Sequence, residues 1–190
     1  SAGFLCEAYA YMYDRMEKNT ANLKSLQENT LYGKEKKNLA YIIGVMNMIL
    51  HGIEAPNIIH TNTLTENIRD IQEKDRYNVI LANPPFNISD WGQEHLQDDV
   101  RWKYGMPPKG NANYAWIQHF IHHLSPRGTA GFVLANGSMS SQSSGEGEIR
   151  KQLILDNKVD AIVTMPSQLF FNVAIPCVLW FVSRDRANRS

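Results

Sequence analysis

An apolar run, Tyr77-Asn78-Val79-Ile80-Leu81-Ala82, stops against two consecutive prolines in the string Asn83-Pro84-Pro85-Phe86-Asn87. Short runs rich in β-branched and aliphatic residues, bounded by turn residues, read as buried strands. Proline has no N–H, fixes its own φ, and pushes the residue before it into an extended conformation. The strand therefore ends here, in a stiff corner from which Asn83 and Phe86 project. In open α/β sheets ligands bind beyond the carboxyl ends of the strands. The corner offers one amide, backbone carbonyls and one aromatic face, and it is the candidate active site.

The remaining chain alternates helix and strand patterns around this corner. Ser1-Ala2-Gly3-Phe4 opens a helix marked by Leu5, Ala8, Tyr9, Met12 and Met16 at spacings of three and four. In a βαβ unit a small-residue turn of this kind joins the first strand to its helix, and that strand is missing, so the chain reads as a piece cut inside a domain. Residues added in cloning are the competing explanation. Residues 20–27 read as a polar loop, and residues 30–33 as a short strand ending at Lys34 and Glu35. An acid at the end of a second strand suits ribose hydroxyls, because a carboxylate accepts two hydrogen bonds from a vicinal diol; a helix N-terminal acid favoured by the dipole fits equally well. A helix over residues 37–51 carries Leu39, Ile42, Ile43, Met46, Ile49 and Leu50 on one broad face and ends at Gly52. A brief strand over residues 57–60 leads to Asn62, which either contacts a base or makes an Asx-turn. Residues 66–75 are charged and surface-like.

Beyond the corner, residues 87–111 show little periodicity, and so long a loop in a compact domain is functional or mobile. It interleaves Trp91, Trp102 and Tyr104 with Arg101, Lys103 and Lys109. Either these stack on bases and touch phosphates, or the loop folds back and its aromatics plug the sheet edge. A helix over residues 113–124 places Trp116, Phe120 and Leu124 on one face. Its His119, His122 and His123 lack an accompanying carboxylate or cysteine, so exposed surface histidines explain them better than zinc. Residues 125–128 read as a turn, 131–135 as a strand, 138–147 as a Ser/Gly-rich loop without a P-loop lysine, 148–157 as a helix and 159–165 as a strand. A last strand over residues 174–182 is interrupted by Pro176, which marks an edge, a start or a bulge. The alternation argues an α/β domain with a mostly parallel sheet.

Composition limits the function. The 190 residues carry no net charge, so no basic field holds nucleic acid without sequence preference. Cys6 and Cys177, the two cysteines, form no metal or redox pattern. No apolar run reaches membrane-spanning length and no signal peptide precedes the first helix, which makes a soluble, cytoplasmic protein the expectation.

The corner has a specific chemical use. The exocyclic amine of adenine is a poor nucleophile because its lone pair is conjugated into the ring. An asparagine carbonyl and a neighbouring backbone carbonyl can accept its two hydrogens and localise the lone pair toward an electrophile on the other side. Phe86 can stack on a base flipped out of a duplex. Methyl transfer from S-adenosylmethionine fits this arrangement and calls for neither metal nor covalent intermediate. Methylation at a cytosine ring carbon would need a cysteine beside the corner.

With Asn83-Pro84-Pro85-Phe86 in place, the chain resembles the methyltransferase (modification) subunits of type I restriction–modification systems, which are adenine-specific DNA methyltransferases. The resemblance extends over nearly the whole chain, through residues 98–128, 145–151 and the string LFFNVAIPCVLWF at 169–181. It implies a Rossmann-like S-adenosylmethionine-dependent methyltransferase fold over residues 1–190, mostly parallel and seven-stranded, with the first strand absent from this piece. An N-terminal helical domain and a C-terminal tail are expected outside it. Catalysis falls to Asn83, Pro84, Pro85 and Phe86. Ser1, Ala2, Gly3 and Phe4 resemble the tail of the cofactor-binding glycine motif, Glu35 the ribose-contacting acid, and Asn62 a cofactor-side polar residue; no metal is implied. The implied partners are duplex DNA, a specificity subunit, a restriction subunit and a second methyltransferase subunit, with no membrane. Two rivals stand beside this reading. One is a methyltransferase for a protein glutamine amide, which uses a similar corner with tyrosine last. The other is a catalytically silent interaction module.

Overall fold

A computed structural model describes residues 2–65, 76–170 and 174–187 of the chain. Ser1, residues 66–75 and Phe171, Asn172 and Val173 of the 169–181 string lie outside the described residues. The chain divides into two compact units, Ser1–Glu66 and Asn67–Ser190.

The first unit contains α1 (Gly3–Arg15), α2 (Thr20–Asn29), β1 (Tyr32–Glu35), α3 (Asn38–Leu50) and β2 (Asn57–His60). β1 and β2 pair in parallel, Glu35 opposite His60. The expected polar loop at residues 20–27 is instead the helix α2. Asn19 accepts a hydrogen bond from the Asn22 N–H at 2.9 Å, which supplies the N-cap, and the buried Leu26 joins Cys6, Tyr9, Leu31, Met48 and Ile53 in a small core. That burial offsets the weak helix propensity of a polar stretch. The first strand starts two residues later than expected, because Leu31 is drawn into this core. α3 packs through a different side from the one its composition suggests. Gly44 and Met48 are its buried residues, while Leu39, Ile42, Ile43, Met46, Ile49 and Leu50 remain 44–81% exposed. The absence of a side chain at Gly44 lets Ala2 and Ile58 approach, so the close packing runs along the small-residue side.

The second unit holds β3 (Tyr77–Ala82), α4 (Asn113–His123), β4 (Leu124–Ala135), α5 (Glu146–Leu155), β5 (Val159–Thr164) and β6 (Cys177–Ser183). Its strands are ordered β3-β4-β6-β5. β3 is parallel to β4, and β6 alone runs antiparallel to both its neighbours. The described residues thus hold six strands in two sheets.

Alternation sorts the side chains by face. Phe132 and Leu134 of β4 join Val178, Trp180 and Val182 of β6 in a core closed by Tyr114, Ile117, Phe120 and Leu124 and by Ile149 and Leu153 of α5. Phe132 and Trp180 stand opposite each other in the register and stack with ring centroids 6.4 Å apart. Among the described residues the other face is the more exposed one. Val79, Leu81 and Phe181 are 62%, 49% and 40% exposed. β3 is therefore not the buried strand that its apolar run suggests: only Ile80 and Ala82 pack on the core, because α4 and α5 cover one side of the sheet.

Residues 125–128, expected as a turn, lie within the long strand β4. The register explains both views. Tyr77 pairs with Leu124 and Val79 with Thr129, so residues 125–128 form a bulge. Gly128 sits where the chain doubles back: a Cβ there would lie 2.7 Å from the Tyr77 carbonyl oxygen and 2.9 Å from the Ser125 nitrogen.

Candidate active site

The corner lies at the carboxyl end of β3, whose last paired residue is Ala82, opposite Phe132. Asn83 follows with its side chain exposed, and among the described residues its amide has no hydrogen-bond partner. Pro84 is buried, Pro85 exposed and Phe86 half-buried, so Pro84 anchors the corner and the amide stays accessible. Beyond Phe86 the chain turns through Asn87 in a left-handed conformation, φ 51°.

Phe170 has no role in the sequence-based expectation, yet the fold brings it to the corner. Its ring centroid lies 6.3 Å from that of Phe86, with the planes inclined at 58°. The available signal was an aromatic pair placed shortly before a strand that starts just after a proline. Asn83 and this aromatic pair lie together within the second unit.

The loop over residues 87–111 folds back on itself, which decides between its two readings. Trp91 is buried and meets Trp102 edge to face at 5.7 Å. The indole N–H groups donate to the carbonyls of Pro108 and Leu96, at 3.0 and 2.7 Å. Each of the loop cations has a protein partner: Lys103 pairs with Asp156 at 3.0 Å and Lys109 with Asp90 at 3.2 Å. Arg101 is fully buried. Its Nε and one terminal nitrogen each reach an Asp99 carboxylate oxygen at 2.8 Å, and the other terminal nitrogen meets His119 Nδ1 at 3.0 Å.

This network corrects the view of the α4 histidines as exposed. His119 and His123 are buried, with rings 4.0 Å apart. Among the described residues no group of three or more His, Cys, Asp or Glu is arranged to hold a metal. Gln118 continues the anchoring: its carbonyl accepts the Tyr104 N–H at 2.9 Å and its amide donates to the Gly105 carbonyl at 2.8 Å. Polar residues buried along α4 thus satisfy a loop that would otherwise hide unpaired backbone groups.

The titrations reflect this packing. Burial works against ionisation of Asp99, but the hydrogen bonds and charge of Arg101 outweigh it and hold the carboxyl below the usual range. Burial, aided by the charges of Arg76 and Arg101, lowers the His122 pKa and keeps its ring neutral. The Tyr104 hydroxyl is pushed up by burial and by donating to Asp156 at 2.6 Å.

The cofactor-side candidates lie in the first unit. Ala2 caps α1 in a left-handed conformation, φ 55°, and its carbonyl accepts the N–H groups of Leu5 and Cys6, both at 3.0 Å. Phe4 is 47% exposed, and Gly3 opens α1 beside it. Leu5 lies against Gly33, where a Cβ would come within 3.1 Å of the Leu5 Cδ1. Glu35 ends β1 two residues further on, and its main-chain carbonyl accepts the Thr61 N–H at 3.1 Å. One Glu35 carboxylate oxygen takes the Lys37 N–H at 2.9 Å; the other has no partner among the described residues and can accept from a diol. Asn62 makes the Asx-turn, its side-chain oxygen accepting the Leu64 N–H at 3.3 Å. α1 has no acidic residue in its first turn and no side-chain cap, which suits an anionic ligand group. These residues fit a ligand carrying a ribose and a carboxylate, as S-adenosylmethionine does. Ser1 lies outside the described residues.

A parallel α/β arrangement with one antiparallel strand, and a polar corner at its carboxyl edge, defines the S-adenosylmethionine-dependent methyltransferase fold, which solved structures share. The sequence places the chain more narrowly. The N-6 DNA methylase family model matches residues 1–190, and the chain belongs to that family. It is 42% identical over 170 residues to the type I restriction enzyme HindI methylase subunit of Haemophilus influenzae, an alignment covering 90% of this chain and 38% of that protein. It is 37% identical over 187 residues to the MjaIX methylase subunit of Methanocaldococcus jannaschii, covering 95% and 33%. The crystal structure of a type I restriction–modification methyltransferase subunit from Streptococcus thermophilus superposes with a TM-score of 0.76 at 30% identity, covering 87% of this chain and 36% of that one. The chain therefore spans well under half the length of these relatives.

Proposed function

We propose that this chain is the catalytic core of a type I modification subunit, transferring a methyl group from S-adenosylmethionine to the exocyclic amine of an adenine flipped out of duplex DNA. The observation that carries the proposal is the grouping of an accessible Asn83 amide with the Phe86–Phe170 ring pair at one sheet edge. The two rings provide apolar faces on which an extruded base stacks. Asn83 Oδ1 accepts a hydrogen from the amine, and a corner carbonyl accepts the other. With both hydrogens held, the nitrogen lone pair points away from the ring instead of conjugating into it. When bound, S-adenosylmethionine supplies the electrophilic sulfonium methyl. Glu35 would accept from its ribose hydroxyls, and the uncapped α1 N-terminus and Asn62 would offer it further polar groups.

The names of the relatives support the same reading, being those of type I methylase subunits. We infer duplex DNA as substrate, read through a separate specificity subunit, with a restriction subunit and a second methyltransferase subunit completing a cytoplasmic complex. A neutral chain whose loop lysines are paired internally agrees with recognition residing elsewhere. No helix among the described residues is long and apolar enough to cross a membrane. The glutamine-amide alternative is disfavoured by Phe86 standing where those enzymes place tyrosine, and a silent module by the unengaged Asn83 amide.

The test uses the full-length subunit with its specificity partner on duplex DNA. Asn83→Ala and Phe86→Ala should abolish methyl transfer. Phe170→Ala should reduce it by roughly 5- to 150-fold, since stacking on one base is worth about 1–3 kcal/mol. Wild-type rates in the Asn83 or Phe86 variant would remove the corner from the mechanism.

A further inference from the structure

The prolines stiffen only the first half of the corner. Phe86 and Asn87 lie beyond them, and Asn87 takes a left-handed backbone, φ 51°, that non-glycine residues adopt at a cost. The conformation persists because of what holds Asn87. Its side-chain Oδ1 accepts from Asn111 Nδ2 at 3.2 Å and from Asn113 Nδ2 at 3.3 Å. Behind this pair, the Ala112 N–H donates to the Ile88 carbonyl at 2.9 Å and the Asp90 N–H to the Lys109 carbonyl at 3.1 Å. The two ends of the 87–111 loop are thereby closed into a neck directly behind Phe86. Asn111 is itself fixed, its Oδ1 accepting the Asn113 N–H at 2.9 Å. Asn113 is 2% exposed at the start of α4 and is followed by Tyr114, which is fully buried.

Resting on the methyltransferase reading of the corner, we propose that Asn87, Asn111 and Asn113 form an amide latch that fixes Phe86 to the α4 core and so positions the flipped base against Asn83. Asn87 is the shared acceptor; Asn113 donates from the first turn of α4 and Asn111 from the loop residue two before it. None of the three contacts the reacting atoms, so they are positioning residues. Each bond is long and individually weak. Together they remove the rotation about Phe86–Asn87 that would let the ring swing away from Phe170. Misplacing a reacting group by about 1 Å can cost 10²-fold in rate, and a latch of this kind acts on the catalytic step more than on binding.

Two substitutions at Asn87 separate the acceptor from the backbone. Asn87→Gly adopts positive φ freely but has no acceptor. Asn87→Asp tolerates the same backbone, keeps an oxygen for both donors, and is exposed enough to carry a charge. Both are made in the full-length subunit with its specificity partner; methyl transfer is assayed on duplex DNA with adenine at the target position, and base stacking on a separate duplex carrying 2-aminopurine there. Asn87→Gly should lower kcat roughly 10- to 100-fold with KM for cofactor and DNA within about threefold, and the 2-aminopurine signal should change as the stack loosens. Asn87→Asp should restore kcat and signal to near wild type. Asn111→Ala, which removes one half-buried donor with less risk to folding, should fall between. Wild-type kcat in Asn87→Gly and Asn111→Ala, or equal impairment of Asn87→Gly and Asn87→Asp, overturns the latch while leaving the function intact. A wild-type complex that transfers no methyl group overturns the function and the latch with it.

Discussion

Replacing Arg101 by methionine should release the 87–111 loop while leaving the fold of the sheet in place. The guanidinium is fully buried, its partner Asp99 has a side chain only 10% exposed, and both close contacts are 2.8 Å. Methionine fills much of the volume but removes every side-chain donor, leaving the Asp99 carboxylate with little water, no guanidinium and only the residue-101 N–H at 2.9 Å, and His119 Nδ1 loses its contact with the guanidinium. Removing one member of a buried ion pair costs about 3–5 kcal/mol. If the loop opens as a unit, this appears in hydrogen exchange of the full-length subunit as faster exchange of loop amides by roughly 150- to 4,000-fold, at about 1.4 kcal/mol per factor of ten. Peptides spanning β4 and β6 should change little. Replacing both partners, Arg101→Met with Asp99→Asn, removes the stranded charge and should return loop exchange to within about tenfold of wild type, because buried pairs contribute little net stability over neutral replacements. A loop that exchanges within threefold of wild type in the single variant would refute the reasoning, and so would a double variant no better than the single one.

Other consequences are simpler to read. Gly128→Ala places a methyl group 2.7 Å from the Tyr77 carbonyl oxygen and 2.9 Å from the Ser125 nitrogen, both backbone atoms that cannot rotate away. The expected cost is about 1–3 kcal/mol, a fall in Tm of roughly 2–12 °C for a domain of this size; an unchanged melting curve would show that the bulge relaxes freely. The loop should also loosen on acidification in two stages. His122 has a lowered pKa, so its contribution is complete above the unfolded value of 6.5 and is lost as pH falls below it. Asp99 is likewise depressed, so its contribution is complete above about pH 4 and disappears on further acidification. Exchange measured between pH 8 and 5 should reveal the first stage, and His122→Gln should flatten it; an identical slope in that variant would assign the effect elsewhere.

What was legible in the sequence was local stereochemistry. A run of β-formers meeting two prolines ends wherever it is placed, because the φ of proline and the crowding before it belong to neighbouring residues. The corner at Asn83–Phe86, the helix at 113–123 and the strand at 57–60 come from such rules. α2 was legible too, through Asn19 as its cap, but polar composition outweighed that signal. Burial and pairing were not legible. Whether Val79 and Leu81 face a core depends on which side of the sheet the helices cover, and periodicity records only that they share a face. Arg101, His119 and Gln118 look like surface residues until the loop supplies Asp99 and the backbone groups they satisfy. Phe170 joins Phe86 only because β6 returns antiparallel beside β4 and brings the chain before it to the same sheet edge. The sequence alone determined where the strand ends and that Asn83, Pro84 and Pro85 turn stiffly there, since torsional limits act between neighbours in the chain. The tertiary structure decided what faces that corner and what holds it, since both depend on atoms brought from distant parts of the chain.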